Sequence, residues 1–358
     1  MKMGNFFDHY IAVIIPVYNN ADRLHHTLNA LEGQFFKNFI TIIIDDNSDA
    51  RVKQVCLQHK DAIDIYYIRN KENLGVAQSR QKGMEFVLST KIPYFMFLDA
   101  DDILVPSALQ RFYLGIFYSK EDVCIGDKVN LYEYAPSQNH FYYKTENTVW
   151  ITNKLFKSDF IKKNKLFIKD FHFHEDLYFN LRVLNCLPNI KYLNNVTYMQ
   201  INHKQSYTET AVNHFSKQSM EYTMLEAVYN AILDSNTFHV MTIEYFLASY
   251  RDYQLCKKRK IDLTEIDKLL IKISNVLDLE KISEETWSHC APVLASMVVV
   301  DKNFSDYDDP VQYLCFEESF FQWAKRFNLI KDFVFPIQNQ NFFLDKKYVD
   351  TSEVELYY

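Results

Sequence analysis

Short apolar runs alternate with amphipathic stretches over the first third of the chain. Ile11 to Val17 is a β-rich run, and Ala21 to Gln34 follows with Leu24, Leu28 and Leu31 at spacings of four and three. The first pattern predicts a buried strand and the second a helix with one apolar face. Further strands are expected at Phe39 to Ile44, Asp64 to Ile68, Tyr94 to Leu98 and Val123 to Ile125. Further helices are expected at Val76 to Leu88 and Pro106 to Tyr118. Alternation with connections this short predicts an α/β fold, a mainly parallel sheet flanked by helices. Such sheets bind ligands at the carboxyl ends of their strands. Polar clusters follow three runs: Tyr18-Asn19-Asn20, Asp45-Asp46-Asn47-Ser48 and Asp99-Ala100-Asp101-Asp102. They are expected along one rim.

The pattern changes near residue 214. Strand alternation stops and helical spacing takes over, with Met220, Met224, Ala227, Val228 and Ala231 on one face. Ile266, Leu269, Leu270, Ile273 and Leu277 do the same behind a capping Thr264. A domain boundary is therefore placed there, giving units 1–214 and 215–358. Phe316, Phe320, Trp323, Phe327 and Ile330 form an aromatic stripe beside Lys325, Arg326 and Lys331. It suits either a membrane-surface helix or a helix packed within the unit or between copies of the chain.

Composition narrows the function classes. Of 358 residues, 39 are Lys or Arg and 46 are Asp or Glu, for a formal charge of −7. That argues against a nucleic-acid binder relying on bulk positive charge. The six cysteines are scattered without a CxxC pair, which suits free thiols in a reducing compartment. Apolar runs reach about ten residues, against roughly 20 for a membrane-spanning helix. A cytoplasmic protein is expected, with peripheral contact at the inner face of the plasma membrane left open.

The acidic cluster after Leu98 carries the strongest chemical signal. Three carboxylates within four positions are costly at a buried strand end unless a cation or strong donors meet them. Such oxygen ligands suit Mg²⁺ or Mn²⁺ bridging to phosphate. The competing reading is that Asp101 or Asp102 caps a helix from about Ile103. Elsewhere, Pro16 suits a strand end, Tyr18 can stack on a base, and Asn19 can hydrogen-bond. An ordinary turn explains the same three residues. Gly75 permits close backbone approach to a ligand. Arg80 can meet phosphate, orient the acidic cluster or sit in solvent. Asp45 and Ser48 are equally good local caps.

Five segments in order resemble family-2 glycosyltransferases of the GT-A fold: Ile14-Ile15-Pro16-Val17-Tyr18-Asn19, Ile42-Ile43-Ile44-Asp45-Asp46-Asn47-Ser48, Asn73-Leu74-Gly75-Val76-Ala77 with Arg80, Phe97-Leu98-Asp99-Ala100-Asp101-Asp102, and Glu175-Asp176. The resemblance covers roughly residues 8 to 210. It implies a Rossmann-like nucleotide-binding half and inverting transfer from a nucleotide-sugar, a UDP-sugar above all, to a glycan or glycolipid hydroxyl. The family's capsule, lipopolysaccharide and teichoic-acid enzymes suggest a bacterial surface-glycan acceptor. By the same resemblance Pro16, Tyr18, Asn19, Asp46, Asn73, Gly75, Arg80, Asp99, Ala100, His203 and Ser206 face the donor. Asp101, Asp99 and His203 face a Mn²⁺ or Mg²⁺ ion, and Asp102 acts as a cap or supporting group. Asp176 becomes the general base and Glu175 its neighbour, although both also suit a helix start.

Four assignments rest on thinner patterns. His172 and His174 are spaced like metal ligands on a strand, yet lack a third histidine or a cysteine. They better suit an acceptor pocket, or are incidental. Trp150, in a segment with Lys154 and Leu155-Phe156, fits a wall over sugar or acceptor, or a core tryptophan. His203, with Lys204 beside it, stands where the family commonly has arginine near the diphosphate. Competing functions are a nucleotidyltransferase, for which the turn after the first strand lacks glycine and lysine, and a non-catalytic sugar-nucleotide-binding or scaffold protein. A phosphodiester hydrolase would want more histidines near the acids. Self-association through the helical unit is also left open.

Overall fold

The computed structural model describes residues 10–119, 121–133, 141–143, 150–171, 173–203, 217–246 and 264–277. The chain divides into two compact units, Met1–Ser216 and Lys217–Tyr358. Ser206, His172, Lys204 and the aromatic stripe lie outside the described residues.

The first unit is built on a nine-stranded sheet. Its opening half follows the apolar pattern: β1 (Ile11–Val17), α1 (Ala21–Glu32), β2 (Phe39–Asp45), α2 (Ala50–His59), β3 (Ile65–Arg69), α3 (Val76–Leu88) and β4 (Tyr94–Phe97). β1 pairs in parallel with β2 and β4, and β2 pairs in parallel with β3. Every residue of β1, β2 and β4 is buried. Strands covered on both faces read as continuous apolar runs for this reason. Each buried Ile, Val or Leu side chain contributes roughly 1.5–3 kcal/mol, so these runs dominate the stability of the layer.

Side chains alternate between two cores. Ile11, Val13, Ile15 and Val17 join α1, including Leu24, Leu28 and Leu31. Ala12 and Ile14 join the α3 side with Met84 and Val87. Gly83 is where α3 meets the sheet: an added Cβ would lie 2.5 Å from Ile14 Cγ2.

The second half of the sheet corrects the mainly parallel expectation, because the whole sheet is mixed. It adds β5 (Ile103–Leu104), α4 (Ala108–Ser119), β6 (Val123–Tyr132), β7 (Phe141–Tyr143), β8 (Lys154–Lys157), α5 (Ser158–Lys163), α6 (Glu175–Asn185) and β9 (Ile190–Asn202). β8 runs antiparallel between β4 and β6. β9 is parallel to β6 and antiparallel to β5. The competing reading of a helix from Ile103 fails, because those residues form the short strand β5, whereas α4 falls where the helix at Pro106 to Tyr118 is expected. β6 extends well past the expected Ile125, through Asp127, Lys128 and Asn130, which are all buried. In the second unit, α7 (Lys217–Leu233) and α8 (Thr264–Leu277) pack together, and Ala227, Val228, Ala231, Leu270 and Ile273 are buried.

Candidate active site

β1, β2 and β4 run in one direction, so their carboxyl ends bring the three polar clusters to one edge. Pro16 sits inside β1 opposite Ile44. By the two-residue period it faces β4, whose ladder stops at Phe97, so its missing donor costs no ladder bond. Tyr18 is 52% exposed. Asn19 takes a left-handed backbone (φ 51°). Its N–H donates to Ser48 Oγ at 2.9 Å, and its Oδ1 accepts from the Asp49 N–H at 2.8 Å. Asp49, rather than Asp45 or Ser48, caps α2 by accepting from the Arg51 N–H.

Asp45 and Asp46 are both buried, and each holds loops in place. Asp45 accepts from the Ser48 N–H, the Tyr67 hydroxyl and Arg69 Nη1. Burial, with help from that carboxylate, pushes the Tyr67 phenol up to about 12. Asp46 accepts from Asn70 Nδ2 at 2.7 Å and from the backbone N–H groups of Leu74 and Gly75 at 2.8 Å each. Gly75 precedes α3 at φ 86°, where any side chain is strained. Its N–H also approaches Asn73 Oδ1 at 3.1 Å. Asp46 thus anchors the start of α3 to the end of β2.

One turn into α3, Arg80 points back into the protein and is 7% exposed. Its Nη2 donates to Asp99 Oδ1 at 2.6 Å, and its Nη1 pairs with Glu175 Oε1. Burial opposes its charge, but the carboxylates of Asp99 and Glu175 more than reverse that and raise its pKa. The solvent-facing reading of Arg80 is therefore wrong. Glu175 is itself pushed up to about 7, mainly by burial and next by Asp176, against the pull of Arg80. Two further bonds tie α3 to the loop before α6: Gln78 Nε2 to Asp170, and the Ile168 N–H to Gln81 Oε1.

The acidic turn after β4 is held from three sides. Thr27 Oγ1 on α1 donates to the carbonyls of Ala100 and Asp102. Asp102 is 4% exposed and accepts from the Tyr198 hydroxyl at 2.5 Å and the Ile201 N–H at 2.8 Å. It fastens the turn to β9 and does not cap a helix. Asp101 Oδ2 lies 3.0 Å from His203 Nε2. Burial raises the Asp101 carboxyl, as does the like charge of Asp99, while His203 opposes both. Arg23 on α1 forms a two-pronged pair with Glu133, at 2.9 and 2.8 Å, and the charges of Asp101 and His203 bear on that pair.

Asp101 and His203 offer two of the donor atoms that a divalent cation would take. An octahedral ion with ligands at about 2.1 Å sets adjacent donor atoms ~3 Å apart, the separation of Asp101 Oδ2 and His203 Nε2. His203 Nδ1 is buried without a hydrogen-bond partner. Among the described residues no group of three His, Cys, Asp or Glu side chains converges on one point. Phosphate oxygens and water commonly complete such a shell.

At the start of α6, His174 occupies the N-cap position in a left-handed conformation (φ 66°). Burial lowers its pKa, against Asp176. Asp176 lies in the first turn, is half-buried, and accepts from the Leu177 N–H at 2.8 Å. Trp150 is 38% exposed, and Lys128 Nζ lies 3.0 Å from its ring centroid. Lys154 Nζ donates to the Trp150 carbonyl. Sequence reasoning gave no role to Lys128, Lys154, Tyr198, Arg23 or Glu133. They reach the site from strands β6, β8 and β9, from α1 and from the residue after β6.

Residues 12–176 match the model of glycosyl transferase family 2. This segment of the chain belongs to that family. The poly(ribitol-phosphate) β-N-acetylglucosaminyltransferase TarP of Staphylococcus aureus is 27% identical over 246 residues, covering 63% of this chain and 72% of TarP. Glycosyltransferase GlyA of Streptococcus pneumoniae is 26% identical over 136 residues, covering 38% of this chain. The chain spans only 19% of GlyA's length. The crystal structure of S. aureus TarS residues 1–349 with UDP-GlcNAc superposes with a TM-score of 0.60 at 15% identity, over 87% of this chain and 91% of that one. At that identity the likeness shows the fold, which is of the GT-A type. No described helix is long and apolar enough to cross a membrane.

Proposed function

We propose that the chain is an inverting glycosyltransferase that moves a sugar, a hexose or an N-acetylhexosamine, from a UDP-sugar to a hydroxyl of a bacterial surface glycan. The observation that carries this reading is Arg80. A single buried guanidinium grips Asp99, beside the candidate cation ligands, and Glu175, beside the candidate base. Donor end and acceptor end thereby belong to one cleft. The name of TarP and the UDP-GlcNAc bound by TarS support the choice of donor and of a teichoic-acid-type acceptor.

Each group has work to do in such a transfer. Exposed Tyr18 offers a face for the base to stack on. Asp46 uses three donors, and a carboxylate has about four acceptor sites, so it retains one for an imide N–H. Pro16, Asn19, Asn73, Gly75 and Ala100 shape the donor rim. Asp101 and His203, with Asp99, would hold a Mn²⁺ or Mg²⁺ ion. When bound, that ion supplies Lewis-acid stabilisation of charge on the departing diphosphate. Asp176 takes the proton from the acceptor hydroxyl as its oxygen bonds to the anomeric carbon. The bond from that carbon to the diphosphate oxygen breaks on the opposite side, so configuration inverts without a covalent enzyme intermediate. Trp150 and His174 border the acceptor. The transfer takes place in the cytoplasm, with the helical unit holding the acceptor, contacting the membrane surface or joining copies of the chain.

A panel of nucleotide-sugars, assayed with and without Mn²⁺, tests the reading. UDP release is expected from a UDP-sugar, with Asp101→Ala losing the metal dependence. Asp176→Asn is expected to lower turnover by about 10²–10⁴-fold, the range for a general base, while calorimetric UDP affinity persists. Wild-type turnover in Asp176→Asn removes that residue as the base.

A further inference from the structure

Trp150 is an exposed tryptophan held as firmly as a core residue. It is 38% exposed, so a large part of it meets water. Yet Lys128 Nζ lies 3.0 Å from its ring centroid, and Lys154 Nζ donates to its carbonyl. Lys128 on β6 is 2% exposed and Lys154 on β8 is 4% exposed. Lysine is seldom so buried, and taking an amine out of water is costly unless its N–H groups are met. Lys128 is met by the indole and by Gln200 Oε1 at 2.8 Å. Burial holds its amine down to about 7, and in either protonation state its N–H groups serve the ring and Gln200.

The rest of the segment is fixed as well. Asn153 is buried and takes a left-handed backbone (φ 58°). Its Nδ2 donates to the Gly126 carbonyl at 2.6 Å, and its Oδ1 accepts from Thr197 Oγ1 at 2.6 Å. Thr152 forms a parallel bridge with Phe97, two residues before Asp99. Gln200 stands next to Ile201, whose N–H binds Asp102. Trp150 is thus tied to the acidic turn from two directions, through its own segment and through Lys128. A core tryptophan needs no exposed face, and a surface one needs no buried clamp. The two together suit a platform for a ligand.

We propose that Trp150 is the stacking platform for the sugar being transferred, and that Lys128 is the residue that positions it. This rests on the chain being a UDP-sugar-dependent transferase, and it names the group that recognises the sugar rather than the nucleotide. A pyranose ring presents a face of C–H groups with partial positive charge, and the indole presents a negative π face. Uracil also stacks on aromatic rings, but exposed Tyr18 serves it at the end of β1. Trp150 instead stands beside the turn assigned to the ion and the diphosphate, and the sugar is the part of the donor beyond the diphosphate. In the product that sugar is bonded to the acceptor, so a wall that holds it also borders the acceptor. Neither residue makes or breaks a bond. The platform fixes how the anomeric carbon is presented for displacement.

The test uses the full chain with Mn²⁺, UDP and the UDP-sugar that supports turnover, and reads affinities by calorimetry without acceptor. Trp150→Leu is expected to weaken UDP-sugar binding by about five- to tenfold, the scale of an aromatic contact, and to change UDP binding by less than about twofold. Trp150→Phe, which keeps a ring face, is expected to retain most of the affinity. Lys128→Met is expected to weaken the UDP-sugar by about threefold or more, to spare UDP, and to add nothing in a Trp150→Leu background. A merely structural lysine would weaken both ligands alike or add its full effect to Trp150→Leu. Equal losses for UDP and UDP-sugar in Trp150→Leu, or UDP-sugar affinity within about twofold of wild type, overturns the platform. Lys128→Met that is additive with Trp150→Leu, or without effect, overturns the positioning role. Should Lys128→Met fail to fold, Gln200→Leu, which unties the same amine, takes its place. Intact UDP-sugar recognition in the variants defeats this inference only, whereas a wild-type chain that binds no UDP-sugar defeats the proposed function and this inference with it.

Discussion

Arg80 shows how one side chain joins two motifs that lie 95 positions apart, measured to Glu175. Its planar fork reaches two carboxylates at once, which a lysine's single ammonium cannot reproduce. Removing it leaves buried Glu175 and half-buried Asp99 without their cation. Arg80→Met is expected to lose roughly 3–5 kcal/mol of stability, the usual cost of breaking a buried pair. The loss carries a pH signature. Glu175, raised from 4.5 to about 7 in the folded protein, favours folding through its bound proton fully below pH 4.5, and that contribution is lost as pH rises through 7. Urea denaturation of Arg80→Met should therefore show a larger deficit at pH 8 than at pH 6, and an equal deficit at both would contradict the assignment. Arg80, Asp99, Asp101, Glu175 and Asp176 were singled out in the sequence by the family resemblance, and the structure brings Arg80, Asp99 and Glu175 into contact. Asp102 was only half legible. Its spacing offers a cap, whereas its buried partners Tyr198 and Ile201 come from a strand about a hundred residues away.

Among the elements, those of the first hundred residues follow the apolar pattern closely, because β1, β2 and β4 are buried on both faces and periodicity is all they need. β6 and β9 escaped the pattern for a physical reason. Their inward positions include Lys128, Asn130 and Thr197, polar groups satisfied by site chemistry and cross-strand bonds rather than by oil-like packing. Thr197 Oγ1, for example, donates to Asn153 Oδ1 at 2.6 Å. A strand that lines a polar cleft loses the apolar signature that would announce it. The junction of β2 and α3 makes a prediction of its own. Gly75 holds a positive φ while its N–H binds Asp46. Gly75→Ala is expected to cost ~1–2 kcal/mol, the penalty of a left-handed backbone with a Cβ. It should also weaken UDP binding several-fold through the displaced Asp46. Calorimetry with an unchanged Kd would separate this turn from the donor site.

The whole molecule carries a formal charge of −7, yet its candidate site gathers Arg80, Lys128, Lys154 and His203 among its acids. A cleft of interleaved signs suits a diphosphate carried with a divalent ion, since neither alone balances the walls. Chelation by EDTA is expected to abolish sugar transfer and remove the thermal stabilisation that UDP gives, with Mn²⁺ restoring both. UDP stabilisation that survives EDTA would place the ion outside the donor site.

The most direct test of the central claim is an anomalous diffraction map of crystals grown with UDP and Mn²⁺. The account predicts one manganese peak within coordination distance of Asp101 and His203 and touching both phosphates, in the cleft that Asp176 faces. A peak away from Asp101, or UDP bound with Asp176 outside the same cleft, would contradict it.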